Sequence, residues 1–209
     1  MSTYRLDHLF LPKSIALFGA SPREKSLGRT VLANLRSGGF AGPIHLINPN
    51  HPEIDGVTTI ASVNALAEPP DLAVVTAPPA AVPEIIAQAG EKGCAATIVL
   101  SSGLGHGPGS YYEATAKAAR RYGIRLVGPN CLGVLVPPAN INASFAVRLP
   151  RAGDLALISQ SGAIAAGLVE WAAQEGLAFP AWCRLATRST SILATSSTIS
   201  RSTAKPARS

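Results

Sequence analysis

The stretch IALFGASPREKSLGRTVLANL, residues 15–35, decides the fold. Ile15 to Phe18 is an uninterrupted apolar run, the pattern of a strand buried on both faces. Gly19-Ala20-Ser21-Pro22 breaks it, and Val31, Leu32 and Leu35 then recur at the spacing of one helix face until Gly38-Gly39 stops the segment. The same unit repeats downstream. Strand-like runs are predicted at Ile44–Ile47, Leu72–Val75, Ala95–Leu100 and Ile124–Val127, with helices beginning at Val82 and spanning Tyr111–Tyr122. Alternation of apolar strands with helices predicts a doubly wound α/β fold, in which a parallel sheet is covered on both faces.

In such a sheet the ligand lies outside the carboxyl ends of the strands, so the residues just after each strand carry the information. They are Gly19-Ala20-Ser21, Asn48-Pro49, Thr76-Ala77-Pro78-Pro79, Ser101-Ser102-Gly103 and Asn130-Cys131. All are small, uncharged, hydrogen-bonding or backbone-exposing, which suits a long polar ligand with phosphates. The first loop is not GxGxxG, because Gly19 and Gly28 are nine apart. A dinucleotide site also wants an acid at the end of the second strand, where this chain has Asn48-Pro49-Asn50. No GxxxxGK[ST] phosphate loop occurs.

Of 209 residues, 14% are charged and 47% hydrophobic, enough for one full domain and part of a second. Cys94, Cys131 and Cys183 are odd in number and far apart, which argues against a disulfide framework and against zinc. Neither a membrane span nor a secretory leader is readable, and a cytoplasmic protein is expected. The net charge of +6 is a property of the tail, since residues 180–209 hold five basic residues and no acid. Nucleic-acid binding therefore has little support. That tail also has 12 Ser or Thr in 30 positions and no Gly. Two readings of it stay open: a disordered basic segment, or sequence out of the natural frame.

IALFGASPREKSLGRTVLANL, HLINPNHPEIDG (45–56), DLAVVTAPPAAVPEII (71–86), VLSSGLG (99–105), RLVGPNCLG (125–133) and LALISQSGAIAAGLVEW (155–171) together resemble the CoA-binding domain of ADP-forming acyl-CoA (acetate-CoA) synthetases, relatives of the succinyl-CoA synthetase α subunit. The resemblance covers about residues 4–179. It implies a CoA-binding Rossmann-like domain at 1–138, the start of a ligase domain at 139–179, and coenzyme A or acetyl-CoA as ligand. On that basis Gly19, Ala20, Ser21, Lys25, Ser26 and Gly28 wrap the nucleotide end of CoA, and Asn48, Pro49 and Asn50 lie beside its 3'-phosphate. Thr76, Pro78 and Pro79 border the pantetheine arm, Ser101, Ser102 and Gly103 continue that channel, and Asn130 and Cys131 meet the thiol end.

A second anion site is expected where a strand at Leu155–Ile158 runs into Gln160, Ser161 and Gly162 at the start of another helix. A plain N-cap by Ser161 explains the same residues. The family converts acyl-CoA, ADP and phosphate into acid, CoA and ATP through a phosphohistidine and an ATP-grasp domain. Its histidine lies downstream of SQSG, whereas His8, His45, His51 and His106 all lie upstream. No catalytic residue is therefore assigned, and an ATP-grasp partner domain or chain is implied, with a small acyl group as co-substrate. Two competing functions remain: a noncatalytic CoA-sensing module ending near Pro138, and an NAD(P)-binding oxidoreductase domain.

Overall fold

A computed structural model describes residues 5–153, 157–159, 161–175 and 182–184. In chain order its elements are α1 (Asp7–Phe10), β1 (Ile15–Phe18), α2 (Leu27–Ser37), β2 (Ile44–Ile47), β3 (Glu53–Ile54), β4 (Val57–Thr58), β5 (Leu72–Val75), α3 (Val82–Lys92), β6 (Ala96–Val99), α4 (Tyr111–Arg121), β7 (Arg125–Val127), β8 (Gly133–Val136), β9 (Ile141–Ser144), β10 (Leu157–Ser159), α5 (Gly162–Gln174) and β11 (Trp182–Arg184). No helix among the described residues is long and apolar enough to cross a membrane.

Five parallel strands form the main sheet in the order β2-β1-β5-β6-β7. The doubly wound α/β architecture expected from the strand and helix alternation is present. Successive strand residues face opposite ways, so two cores result. On one face Ile15, Leu17, Val74 and Ile98 pack with Val31, Leu32 and Leu35 of α2. Opposite them, Ala16, Phe18, Val75 and Val99 pack with Val82 and Ile86 of α3 and Ala119 of α4. Chain order reverses between β1 and β5, because β2 lies on the far side of β1. That reversal opens a crevice beyond the carboxyl ends of these two strands.

A second sheet of four strands, β10-β11-β8-β9, adjoins the first. Its β8–β9 hairpin is shared between the two halves of the molecule. Val134, Val136, Ile141 and Ala143 belong to the α2 core of the main sheet, while Leu132 and Leu135 pack with Ala146 and with Val169 of α5. The boundary expected at residue 138 falls in the turn of this hairpin, whose strands pair from Gly133–Ser144 to Val136–Ile141. Trp182–Arg184, within the segment expected to be tail, pairs with both β10 and β8, so the strand Leu157–Ser159 has a neighbour. Residues 176–181 and 185–209 lie outside the described residues, as does the open question of their frame.

Candidate functional site

The loops beyond β1, β2, β5, β6 and β7 meet in one continuous rim. Gly19 stands at its centre with φ +83°, and a Cβ there would lie 2.8 Å from the backbone nitrogen of Ala77. Glycine is thus required both by the left-handed conformation and by the contact between the loops that flank the crevice. Gly28, in the first turn of α2, presses on the same turn: a Cβ would come 2.2 Å from the Gly19 carbonyl oxygen. This is the close helix–strand packing that the third glycine of a dinucleotide fingerprint provides, reached here with a longer spacing.

Between these glycines the loop bulges outward. Ser26 caps α2, its Oγ accepting from the Arg29 N–H at 3.3 Å, and no acid occupies the first turn of that helix. Lys25 is exposed at φ +58°. Ser21 accepts from the Arg23 N–H at 3.2 Å, which tightens the turn. The rim therefore presents a capped, positive helix end together with two exposed cations, Arg23 and Lys25, offset by Glu24.

Asn48 ties the second loop to the first. Its Nδ2 donates to the Ala20 carbonyl at 2.6 Å and its Oδ1 accepts from the Asn50 N–H at 2.8 Å, so both ends of the side chain are already engaged. Pro49 and Asn50 remain exposed beside it. Across the crevice, Thr76 donates its hydroxyl to the Phe18 carbonyl at 2.9 Å, and Ser101 donates to the Ala77 carbonyl at 2.6 Å. Pro78 is exposed, and Pro79 opens the short 3-10 turn into α3, a helix-starting role. Gly103, at φ +80°, faces the Pro79 ring, with exposed Ser102 preceding it.

The rim ends at Asn130, exposed at φ +55°, whose N–H donates to the Ser101 carbonyl at 2.9 Å. Cys131 turns the other way. Its Sγ donates to the buried Val99 carbonyl at 3.3 Å and its side chain joins the α2 core, so of this pair only Asn130 faces the crevice. Gly128 explains the turn: a Cβ would lie 2.2 Å from the Val99 oxygen.

Arg29 is a contributor that sequence reasoning missed. It donates to the Pro22 carbonyl at 3.0 Å and pairs with Asp55 at 2.9 Å, fastening the first loop to the β3–β4 turn. The available signal was a cation in a helical first turn, where the dipole disfavours it unless an acid compensates. The segment expected to form a second anion site is described in part. Ser161 caps α5, accepting from the Ile164 N–H at 3.4 Å, and its own N–H and carbonyl both bond the Ser159 hydroxyl at 3.1 Å. Gly162 begins the helix, and Gln160 lies outside the described residues. Among the described residues, no group of His, Cys, Asp and Glu could hold a metal ion.

Residues 13–137, the segment that builds every loop of this rim, match the CoA binding domain family. The chain belongs to that family. Beyond the CoA-binding domain itself, the chain is 36% identical over 177 residues to an ADP-forming acetate–CoA ligase of Archaeoglobus fulgidus, covering 83% of this chain and 26% of that protein. It is 35% identical over 177 residues to the α subunit of an ADP-forming acetate–CoA ligase of Pyrococcus furiosus, of which it covers 38%. A solved acetyl-coenzyme A synthetase of Ca. Korarchaeum cryptofilum, in complex with phosphate and ADP, superposes with a TM-score of 0.82 at 31% identity over 90% of this chain and 42% of that one. The chain thus spans about a quarter to two fifths of these relatives and corresponds to their CoA-binding region. Coenzyme A is the ligand class this domain carries.

Proposed function

We propose that the chain is the CoA-binding portion of an ADP-forming acetate or acyl-CoA ligase, acting with an ATP-grasp partner domain or chain in the cytoplasm. The observation that carries this reading is the crevice between β1 and β5, with Gly28 seated on the Gly19 turn and exposed cations beside the helix end. A phosphate-rich nucleotide end fits there. Ser21, Lys25, Ser26 and the backbone of Gly19–Ala20 and Gly28 face it, with Asn48, Pro49 and Asn50 alongside. The pantetheine arm then follows Thr76, Pro78 and Pro79 to Ser101–Gly103, and the thiol end reaches Asn130, with Cys131 packed in the core behind it.

At that end a phosphate oxygen bonds to the thioester carbon, the C–S bond breaks, and CoA leaves as the thiolate, taking the proton that phosphate gives up. Gln160, Ser161 and Gly162 supply donors for the phosphate at the start of α5, where the helix end stabilises negative charge. The Ser161 hydroxyl oxygen already caps the helix, so what it offers an anion is its proton. His8, His45, His51 and His106 precede α5, whereas the phosphoryl acceptor of this family lies downstream of SQSG.

Two observations favour CoA and ligase chemistry over the competing functions. An oxidoreductase needs a carboxylate for the ribose diol at the end of β2, and Asn48 stands there with both side-chain ends engaged. A self-contained sensing module ending near Pro138 would not share its core with a second sheet, as the β8–β9 hairpin does. Calorimetric titration of the full chain with CoA, acetyl-CoA and NAD tests the reading. Binding of CoA or acetyl-CoA with NAD inert is the expected result, and NAD binding with CoA inert would overturn it.

A further inference from the structure

Asn34 lies in the C-terminal half of α2, and asparagine is a poor helix former. Its presence there is explained by what its amide holds. Nδ2 donates to the carbonyls of Ser144 and Ala146 at 2.8 and 2.9 Å, across sequence separations of 110 and 112 residues. Ser144 is the last residue of β9, and Ala146 lies beyond the paired ladder. The Ser144 hydroxyl accepts from the Ala146 N–H at 3.0 Å and donates to the buried Asn142 side chain at 2.5 Å, so the strap beyond β9 is fixed from two directions. Ala146 in turn packs with Val169 of α5. One side chain on the helix that begins at the rim therefore grips the segment on which α5 rests.

We propose that Asn34 is a positioning residue: it sets α5, and with it the Ser161 end, in a fixed place relative to the CoA rim. The inference rests on the ligase reading above, in which an acyl group leaves CoA for a phosphate at α5. Such a transfer needs both binding sites in one rigid frame, because small displacements of reacting groups cost large factors in rate. Asn34 lies outside the rim loops, in the C-terminal half of α2. Its effect passes through the 144–146 strap.

The chain offers its own reporter, because both of its tryptophans, Trp171 and Trp182, lie in α5 and β11. In the full chain, Asn34→Asp keeps the side-chain size and replaces the donating amide with an oxygen facing two carbonyls. Expected are at least tenfold faster hydrogen exchange of the hydrogen-bonded amides of Phe145 and Ala146 and altered acrylamide quenching of emission excited at 295 nm. CoA affinity should stay within twofold of wild type, and Ser37→Ala on the same helix should change none of these. Unchanged exchange and quenching in Asn34→Asp would overturn the proposal. So would a wild type whose Phe145 and Ala146 amides exchange at unprotected rates while those of α2 are protected, a measurement that stands even where the variant fails to fold. Calorimetry of the wild type with CoA reads the ligase reading separately, since loss of binding there leaves the exchange and quenching results to judge Asn34.

Discussion

The two sheets of this molecule are built on different terms. In the main sheet every strand residue of β1, β5 and β6 is buried, and helices cover both faces. In the second sheet a small cluster of Leu132, Leu135, Ala146 and Val169 holds α5 from beneath. Around it Phe145, Val147, Ile164 and Trp171 are exposed, Val147 to 76%. The first sheet has what it needs to fold and to shape its rim. The second borrows half of its core through the β8–β9 hairpin, and among the described residues nothing covers its remaining apolar surface. The two sheets are thereby expected to differ in local stability, which a graded set of substitutions can separate.

The largest effect is expected from Leu17→Ala. Leu17 is fully buried in the α2 core, and truncation should cost about 2–5 kcal/mol and shift the whole unfolding transition. Val169→Ala, in the smaller cluster, should open α5 and leave the main sheet protected, as native-state hydrogen exchange would show. If both variants lose protection uniformly, the two sheets are one cooperative unit and the contrast fails. Next comes Gly28→Ala, whose Cβ would run into the Gly19 carbonyl. Overpacking of this kind costs roughly 1–3 kcal/mol, and because the displaced turn is the rim itself, CoA affinity should fall at least tenfold by calorimetry.

Much of that first region was legible. Apolar runs placed β1, β2 and β5 to the residue, and the loops that follow the strands hydrogen-bond to one another at one end of the sheet. What sequence reading lacked were partners distant along the chain. The hairpin GVLVPPANINAS, 133–144, places Asn142 and Ser144 in buried strand positions, where the Ser144 hydroxyl donates to the Asn142 side chain, and Asn34 holds the Ser144 carbonyl from 110 residues away. The resemblance sets Asn130 and Cys131 together at the thiol end, but adjacent residues leave a turn in opposite directions, here one exposed and one in the core. Asn48 was read as a ligand neighbour, and its first duty is to hold the Ala20 turn. Small polar residues at strand ends build the loop before they touch a ligand.

Cys94 gives the main sheet a pH signature. Burial pushes its thiol from 9.0 up to about 12. The folded thiol holds its proton more tightly than the unfolded one, so the unfolded chain ionises first. Its contribution to stability is complete below pH 9 and is lost as pH rises from 9 toward 12, by about 1.4 kcal/mol per unit within that window. Denaturant melts between pH 8 and 10.5 should show the loss, and Cys94→Ala should flatten it. A slope that survives the substitution would assign it to another group.

In the second region the effects become small and local. Ser161→Ala removes the cap of α5 and should cost about 1 kcal/mol, confined to that helix. It should leave CoA binding intact while weakening any phosphate binding, so a matching loss of CoA affinity would break the separation between the sites. Trp171→Gln is the smallest in stability. Trp171 is half exposed on α5, and surface changes of this kind stay within about 0.5 kcal/mol. What should change is association. If the uncovered face of α5 is a contact surface, wild-type chain will self-associate as concentration rises and Trp171→Gln will do so less, by sedimentation or light scattering. Equal behaviour of the two would place the sticky surface elsewhere and leave the exposed Trp171 a solitary apolar residue of the ordinary kind, with no role in the unequal construction of the two sheets.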